Sequence, residues 1–415
     1  MRLRPLDFLP RKGAKNERYA GDATSCVTAS SLPCCRQATG SEAAAGNRHQ
    51  RGEWVAGNTE LRVGIIGCGA GIFHLEGYQE EPRARIVALA GLNTERCNQL
   101  AKRFEIPHIY GDYQDLLAQD DVQAVSIVVP NHLHLPVTLA ALKAGKHVLV
   151  EKPLARTVAE GEQMVRAAEQ AKLVLAIAFN RRTRHDMELL KGQVERGELG
   201  RIYYAKAFWM RRAGIPGLGS WFTSKEQAGG GPLIDLGVHV LDMALWLMGN
   251  PKVVTASAAT YAELGPQGKG NWPGSRFPVH ADAKYEVEDL AVAFLRMEDG
   301  GTLHLETAWA AYTGMTDEFG VSLFGNKGGA EIHAKEYAQV DTLKFFRDYG
   351  DVAVDCMPRL QTRHGHAEII RRFVRSVLDG APVSPSGAEG LDRVRLIEAI
   401  YRSAEEQREV TIEGS

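Results

Sequence analysis

The chain has 415 residues, of which 44% are apolar and 24% charged, and its formal charge is −2. That length and balance suit two ordinary domains with substantial cores and speak against wholesale disorder. Near-neutrality removes the electrostatic case for nucleic acid or an anionic membrane as a partner, and no apolar run approaches the roughly 20 residues of a bilayer span.

Residues 1–60 are rich in Ala, Gly, Ser, Arg and Asn and carry neither helical nor alternating periodicity. They are expected to be a disordered or over-called extension, with Val55 an alternative start. From Leu61 the texture changes to alternating strands and helices, the pattern of a parallel sheet with crossover helices. Leu61–Gly67 reads as a strand, followed by a glycine turn and a helix to about Gln79. Ile86–Leu92 is a strand, Thr94–Phe104 a helix, Ala124–Pro130 a strand and Leu133–Ala144 a helix. His147–Val150 is a strand, Val158–Ala171 a helix and Leu173–Phe179 a closing strand. Residues 61–180 therefore read as a Rossmann-type dinucleotide-binding domain of the α/β class.

Past Asn180 the pattern becomes α+β, and residues 181–415 are expected to form a second domain with a large, mostly antiparallel open sheet. Its strands are read at Arg201–Met210, Val253–Tyr261, Asp289–Met297, Thr302–Trp309, Gly320–Phe324 and Leu343–Phe346. Its helices are read at Asp186–Arg196, Leu233–Met248, His364–Leu378 and Gly387–Glu406. The six cysteines (26, 34, 35, 68, 97 and 356) lack disulfide-framework or zinc spacing, so reduced thiols in a cytoplasmic protein and no metal are expected.

Gly67-Cys68-Gly69-Ala70-Gly71 joins the first strand to the first helix, where glycines let backbone N–H groups approach a pyrophosphate. The common G-x-G-x-x-G spacing is compressed, with Ile72 in the sixth position. The second strand ends on Gly91-Leu92-Asn93 rather than on Asp or Glu. Asn93 can hold a ribose hydroxyl and Arg96 a 2′-phosphate, so NAD or NADP is expected.

Three further patterns carry chemistry. Val129-Pro130-Asn131-His132-Leu133-His134 and Glu151-Lys152-Pro153 each close a strand at its carboxyl end, where open α/β sheets bind ligands. Gly229-Gly230-Gly231-Pro232-Leu233-Ile234-Asp235-Leu236-Gly237-Val238-His239 opens a later helix. Asp235 and His239, four apart, are expected on one face of it. Taken singly, each has a plain structural reading: a core histidine, an N-cap aspartate, a lysine snorkelling from a strand end.

In this order, with Gly145-Lys146-His147-Val148 and Asn180-Arg181-Arg182 as landmarks, the residues from Leu61 onward resemble the Gfo/Idh/MocA oxidoreductase family. The resemblance implies a soluble NAD(P)-dependent enzyme, a dimer or tetramer, that oxidises a hydroxyl of a sugar, sugar derivative or cyclitol. It implies Lys152, Asp235 and His239 as catalytic residues, His239 being an acid/base and Asp235 orienting it or binding a substrate hydroxyl. It places Gly67, Gly69, Ala70, Gly71, Ile72, Asn93, Pro130, Asn131, His134, Glu151, Lys152 and Asn180 around the cofactor. Arg211 and Trp221 flank a Gly/Pro-rich loop suited to closing over a sugar. A glycosidase using transient oxidation and a non-catalytic cofactor-binding sensor are the competing expectations. His280, Trp309 and His364-x-His366 read as structural.

Overall fold

A computed structural model describes residues 60–275 and 284–412; the 1–59 stretch, His280, and cysteines 26, 34 and 35 lie outside the described residues. The first half contains β1 (Leu61–Ile66), α1 (Gly71–Gln79), β2 (Ala84–Ala90), α2 (Thr94–Phe104), β3 (His108–Tyr110) and α3 (Tyr113–Leu117). It continues with β4 (Ala124–Ile127), α4 (His134–Lys143), β5 (His147–Val150), α5 (Val158–Ala171) and β6 (Leu175–Ile177). All six strands pair in parallel in the order β3-β2-β1-β4-β5-β6. β4, β5 and β6 are buried at every position, as a sheet covered on both faces requires. Strand order reverses between β1 and β4, so a crevice opens outside their carboxyl ends.

The second half contains α6 (His185–Glu195), β7 (Ile202–Arg211), α7 (Lys225–Ala228), a π-helical turn at Leu233–Gly237 and α8 (Val238–Leu247). Then come β8 (Val253–Tyr261), β9 (Leu290–Met297), β10 (Thr302–Ala308), β11 (Asp317–Gly325), β12 (Gly329–Lys335), β13 (Leu343–Tyr349) and β14 (Val352–Cys356). α9 (Gly365–Asp379), α10 (Gly387–Glu406) and β15 (Val410–Thr411) end the chain's described part. The nine-stranded sheet runs β14-β13-β12-β11-β7-β10-β9-β8-β15, antiparallel except for the β7–β10 pair. Alternating burial along β9 and β10 shows one inner face, against which α8 packs with Val240, Leu241, Met243 and Ala244.

The chain crosses back between the halves. Ile369, Ile370, Phe373, Val374 and Val377 of α9 share a core with Val63, Ile65, Leu75 and Leu89, so α9 covers one face of the parallel sheet. The stretch Lys225–Leu247 is apolar enough by length and composition to cross a membrane, unlike the sequence expectation, but 89% of its most apolar window is buried inside the fold. A second departure concerns the thiols: Cys68 and Cys97 form a disulfide. They are 29 residues apart, and only the pairing of β1 with β2 sets the glycine turn beside the start of α2. Cys356 is free and half-buried.

At the junction, Arg182 has no solvent exposure and donates to both oxygens of Asp242, at 2.8 and 2.5 Å, and to Glu389. Arg393 adds a third bond to Asp242 at 3.1 Å and a further bond to Asn250. This network joins the turn after β6, α8 and α10. Removing its central anion would leave two buried guanidinium groups short of a partner, so Asp242→Ala is expected to cost about 3–5 kcal/mol in urea unfolding. A loss below about 1 kcal/mol would show that the network does not hold the junction.

Candidate catalytic centre

The glycine turn fits a dinucleotide. Gly67 has φ +112°, and a Cβ there would lie 2.0 Å from the Val128 carbonyl, so only glycine allows β1 and β4 to run this close. Gly69 faces open space, and α1 begins at Gly71 just beyond Ala70, with Ile72 in the first turn. The N–H groups that a helix start leaves unpaired are thus turned toward the crevice, as pyrophosphate binding needs. The Asn93 side chain caps α2 by accepting the Arg96 N–H at 2.9 Å, which fixes its oxygen at the end of β2.

The residues after β4 serve mainly as framing. Asn131 Nδ2 donates to the Ala228 carbonyl of α7 at 2.8 Å, tying this loop to the second domain. Pro130 leads into that turn. His134 is buried, with Nδ1 2.8 Å from the Pro153 carbonyl and Nε2 3.0 Å from that of Val129, bracing the ends of β4 and β5. Both side chains are committed inside the protein rather than offered to a ligand.

Lys152, at the end of β5 before a cis bond to Pro153, reaches across to the π-helical turn. Its Nζ donates to Asp235 Oδ1 at 2.8 Å and to the Asp235 carbonyl at 2.9 Å. Trp309, beyond β10, donates its indole N–H to the other Asp235 oxygen at 2.9 Å. Burial opposes ionisation of Asp235, but Lys152 and then Arg211 and Trp309 outweigh it and hold the carboxyl below its usual range. The two side chains of the pair still keep 17% and 16% of their surface open.

The partner of Asp235 is therefore Lys152, and the expected orienting bond from Asp235 to His239 is absent. Both carboxylate oxygens of Asp235 are taken, one by Lys152 and the other by Trp309, which leaves none turned to His239. Nor is Asp235 the helix cap. That task falls to Glu288, which accepts from the Gly231 and Leu233 N–H groups at 3.0 Å and from Tyr401 at 2.9 Å. Gly231 permits this, since a Cβ there would meet the Glu288 carbonyl at 2.1 Å. His239 is 7% exposed and its ring lies 5.6 Å from that of Trp209. Its Nδ1 has no partner among the described residues. Burial first, then the charges of Lys152 and Arg181, hold the imidazole well below its ordinary value, so it is neutral at neutral pH.

Glu151 supports the lysine from behind. It accepts the Lys152 N–H at 3.1 Å, and its Oε1 lies 2.9 Å from His74 Nε2 and 3.3 Å from His366 Nε2. The amide of Asn180 lies 3.3 Å from His366 Nδ1 and 3.2 Å from Nε2. Although burial opposes it, these imidazoles keep the Glu151 carboxyl well below its usual range. Three donors already satisfy this carboxylate, so the grouping stands as a hydrogen-bonded hub, although its ligand-type atoms lie within 4.8 Å of one another. The sequence reading passes over His74 and takes His366 as ordinary structure. Their spacing, with α1 and α9 nearly 300 residues apart, carries no local signal.

Arg211 is buried and bound to Asp317 at 2.9 Å and to the Tyr337 hydroxyl at 2.5 Å, so it is not free to clasp a substrate as expected. Trp221 is half-buried and stacks on Phe222 at 3.8 Å, and Phe222 meets Trp309 edge-on, which brings the Gly/Pro-rich loop to the Asp235 side of the site.

A parallel nucleotide-type sheet whose strand-end lysine binds a carboxylate from a helical turn packed on an adjoining open sheet, with a neutral imidazole on the helix that follows, defines a dinucleotide-dependent oxidoreductase. A profile of the oxidoreductase family with an NAD-binding Rossmann fold matches residues 61–179, and one of the GFO/IDH/MocA C-terminal domain matches residues 187–331. The chain belongs to the Gfo/Idh/MocA oxidoreductase family. It is 33% identical over 351 residues to D-glucoside 3-dehydrogenase of Escherichia coli K12, covering 84% of this chain and 96% of that enzyme. It is 28% identical over 394 residues to levoglucosan dehydrogenase of Pseudarthrobacter phenanthrenivorans, covering 85% and 98%. A solved levoglucosan dehydrogenase in complex with NADH and L-sorbose superposes with a TM-score of 0.77 at 26% identity, over 86% of this chain and all of that one.

Burial lowers the pKa of His134, His239 and His366, and takes that of His147 down to about 4. Unfolded histidines take up protons near pH 6.5, whereas these resist, so the stabilisation is complete above 6.5 and is lost as pH falls toward the folded values. Each histidine that stays neutral in the fold should remove roughly 1.4 kcal/mol per pH unit below 6.5. His132, lowered by burial as well, acts with these four, and Glu288, raised by burial, acts in the opposite sense, one group against five. Urea midpoints should therefore drop between pH 7.5 and 5.5; unchanged midpoints would contradict the assignment of buried neutral imidazoles.

Proposed function

We propose that the protein is an NAD- or NADP-dependent dehydrogenase acting on a secondary hydroxyl of a sugar, sugar derivative or cyclitol. The observation that carries this reading is the 2.8 Å Lys152–Asp235 pair spanning the two sheets, with a neutral His239 beside it. The named activities of the two relatives, on glucosides and levoglucosan, support the substrate class.

The nicotinamide cofactor, when bound, supplies the hydride acceptor or donor. Gly67, Gly69, Ala70, Gly71 and Ile72 would hold its pyrophosphate, and Asn93 its ribose. Lys152 Nζ donates a hydrogen bond to the reacting oxygen and steadies negative charge there. Asp235 keeps that amine in place, and Trp309 keeps Asp235 in place. His239, neutral, takes the hydroxyl proton during oxidation and returns it during reduction. Glu151, held by His74 and His366, fixes the strand end from which Lys152 projects.

The test is a screen of sugars, glycosides and inositols with both cofactors, following reduced nicotinamide. Accumulation of reduced cofactor is expected; release of aglycone without it would indicate the glycosidase chemistry instead. Lys152→Ala and His239→Ala are each expected to lose at least about 100-fold in kcat, with melting midpoints within a few degrees of the parent. Near-normal turnover in both would remove the assigned chemistry.

A further inference from the structure

Arg181 is a half-buried cation with no anion bonded to it among the described residues. It stands in the turn Asn180–Thr183 between the two halves of the fold. Its guanidinium lies 5.2 Å from the ring of Trp209, 5.1 Å from that of Phe319 and 5.2 Å from that of Tyr337. Nε is buried without a partner, and among the described residues no carboxylate, carbonyl or hydroxyl accepts from any of its N–H groups. Burial lowers its pKa to about 10, which still leaves it charged at neutral pH.

The neighbouring charges are already paired. Arg184 binds Asp186 at 2.6 Å. Arg211 binds one oxygen of Asp317 at 2.9 Å, and the Trp209 N–H takes the other at 2.7 Å. Lys152 binds Asp235. With Glu151 included the charges here number four of each sign, but Arg181 alone of the four cations has no anion bonded to it, and it lies beside the proposed acid/base, because Trp209 contacts both Arg181 and His239.

Three aromatic faces offset part of the desolvation cost. They do not use the N–H donors of the guanidinium. A guanidinium partly withdrawn from water, with its Nε shut off from solvent, leaves donors open to a ligand. A sugar hydroxyl would satisfy the donors but not the charge, whereas a carboxylate or phosphate satisfies both in a two-pronged arrangement. We propose that the substrate is an acidic sugar or cyclitol, whose carboxylate or phosphate is bound by Arg181 while a neighbouring hydroxyl lies at Lys152 and His239. This rests on the dehydrogenase reading and narrows its substrate class.

Matched pairs test it on the full-length enzyme: glucose against glucuronate and glucose 6-phosphate, galactose against galacturonate, and myo-inositol against its monophosphate. The acidic member of at least one pair should exceed its neutral parent in kcat/KM by about 30-fold, equivalent to about 2 kcal/mol at 1.4 kcal/mol per tenfold. The carboxylate and phosphate arms show which oxyanion is meant. In Arg181→Met that ratio should collapse to within about threefold of one, and Arg181→Lys should restore part of it. Neutral sugars used as well as their acidic counterparts, or an acid preference that survives in Arg181→Met, would overturn the proposal while leaving the dehydrogenase reading intact. If no sugar is turned over, the dehydrogenase reading fails, and calorimetric titration with glucuronate and glucose 6-phosphate decides the oxyanion site separately. Binding that Arg181→Met abolishes supports it, and no binding to the parent protein defeats it.

Discussion

The short contact between Lys152 and Asp235 is the constraint around which the molecule is arranged. One partner ends a parallel strand of the nucleotide-binding sheet, and the other sits in a helical turn of the second sheet's domain. A pair of this kind has value only if both backbones are held, since an ion pair with mobile ends gains little over solvation. Every nearby device can be read as holding one end or the other. On the lysine side, His134 braces the ends of β4 and β5, and Glu151 is pinned by imidazoles from α1 and α9. On the aspartate side, Glu288 caps the helix start, Thr307 binds the Pro232 carbonyl at 3.1 Å, and Trp309 fixes the second carboxylate oxygen.

This arrangement explains a feature that would otherwise look uneconomical, the return of the chain's C-terminal part to the first domain. α9 covers the parallel sheet, and its first turn delivers His366 to Glu151. α10 sends Arg393 and Glu389 to the buried Arg182–Asp242 pair. Both helices therefore close the junction between the sheets, so the two ends of the central contact are referred to one rigid frame rather than joined only through the backbone after β6.

How much of this was legible in the sequence follows from how local each determinant is. The limits of α2, α5 and α10 match the pattern end to end, because each starts at a capping side chain (Asn93, Thr157, Ser386) and ends at a residue in the left-handed region (Glu105, Lys172, Gln407). β5, buried at every position, and the half-buried β8 were readable from β-branched content. Short or edge strands were not: β3 has three residues, and β12 mixes Ala, Glu and Lys whose strand conformation comes only from pairing with β11 and β13. In the site, Lys152, Asp235 and His239 could be named from their motifs, yet their partnerships could not. The helical spacing suggested an Asp235–His239 pair, and a lysine 83 residues away together with Trp309 replaced it. The Cys68–Cys97 bond and the His74–Glu151–His366 hub are likewise products of strand order, which no spacing rule reports.

The electrostatic consequence of the Lys152–Asp235 contact reaches beyond the pair. A lysine left unpaired would press harder on the nearby imidazole, and an aspartate left unpaired would tend to charge it. The state of His239 is governed first by its burial and next by the positive charges of Lys152 and Arg181. Both causes act in the same direction and keep the ring neutral, the form that can accept a proton. The site thus keeps one unprotonated base among charged groups by giving the charges to each other.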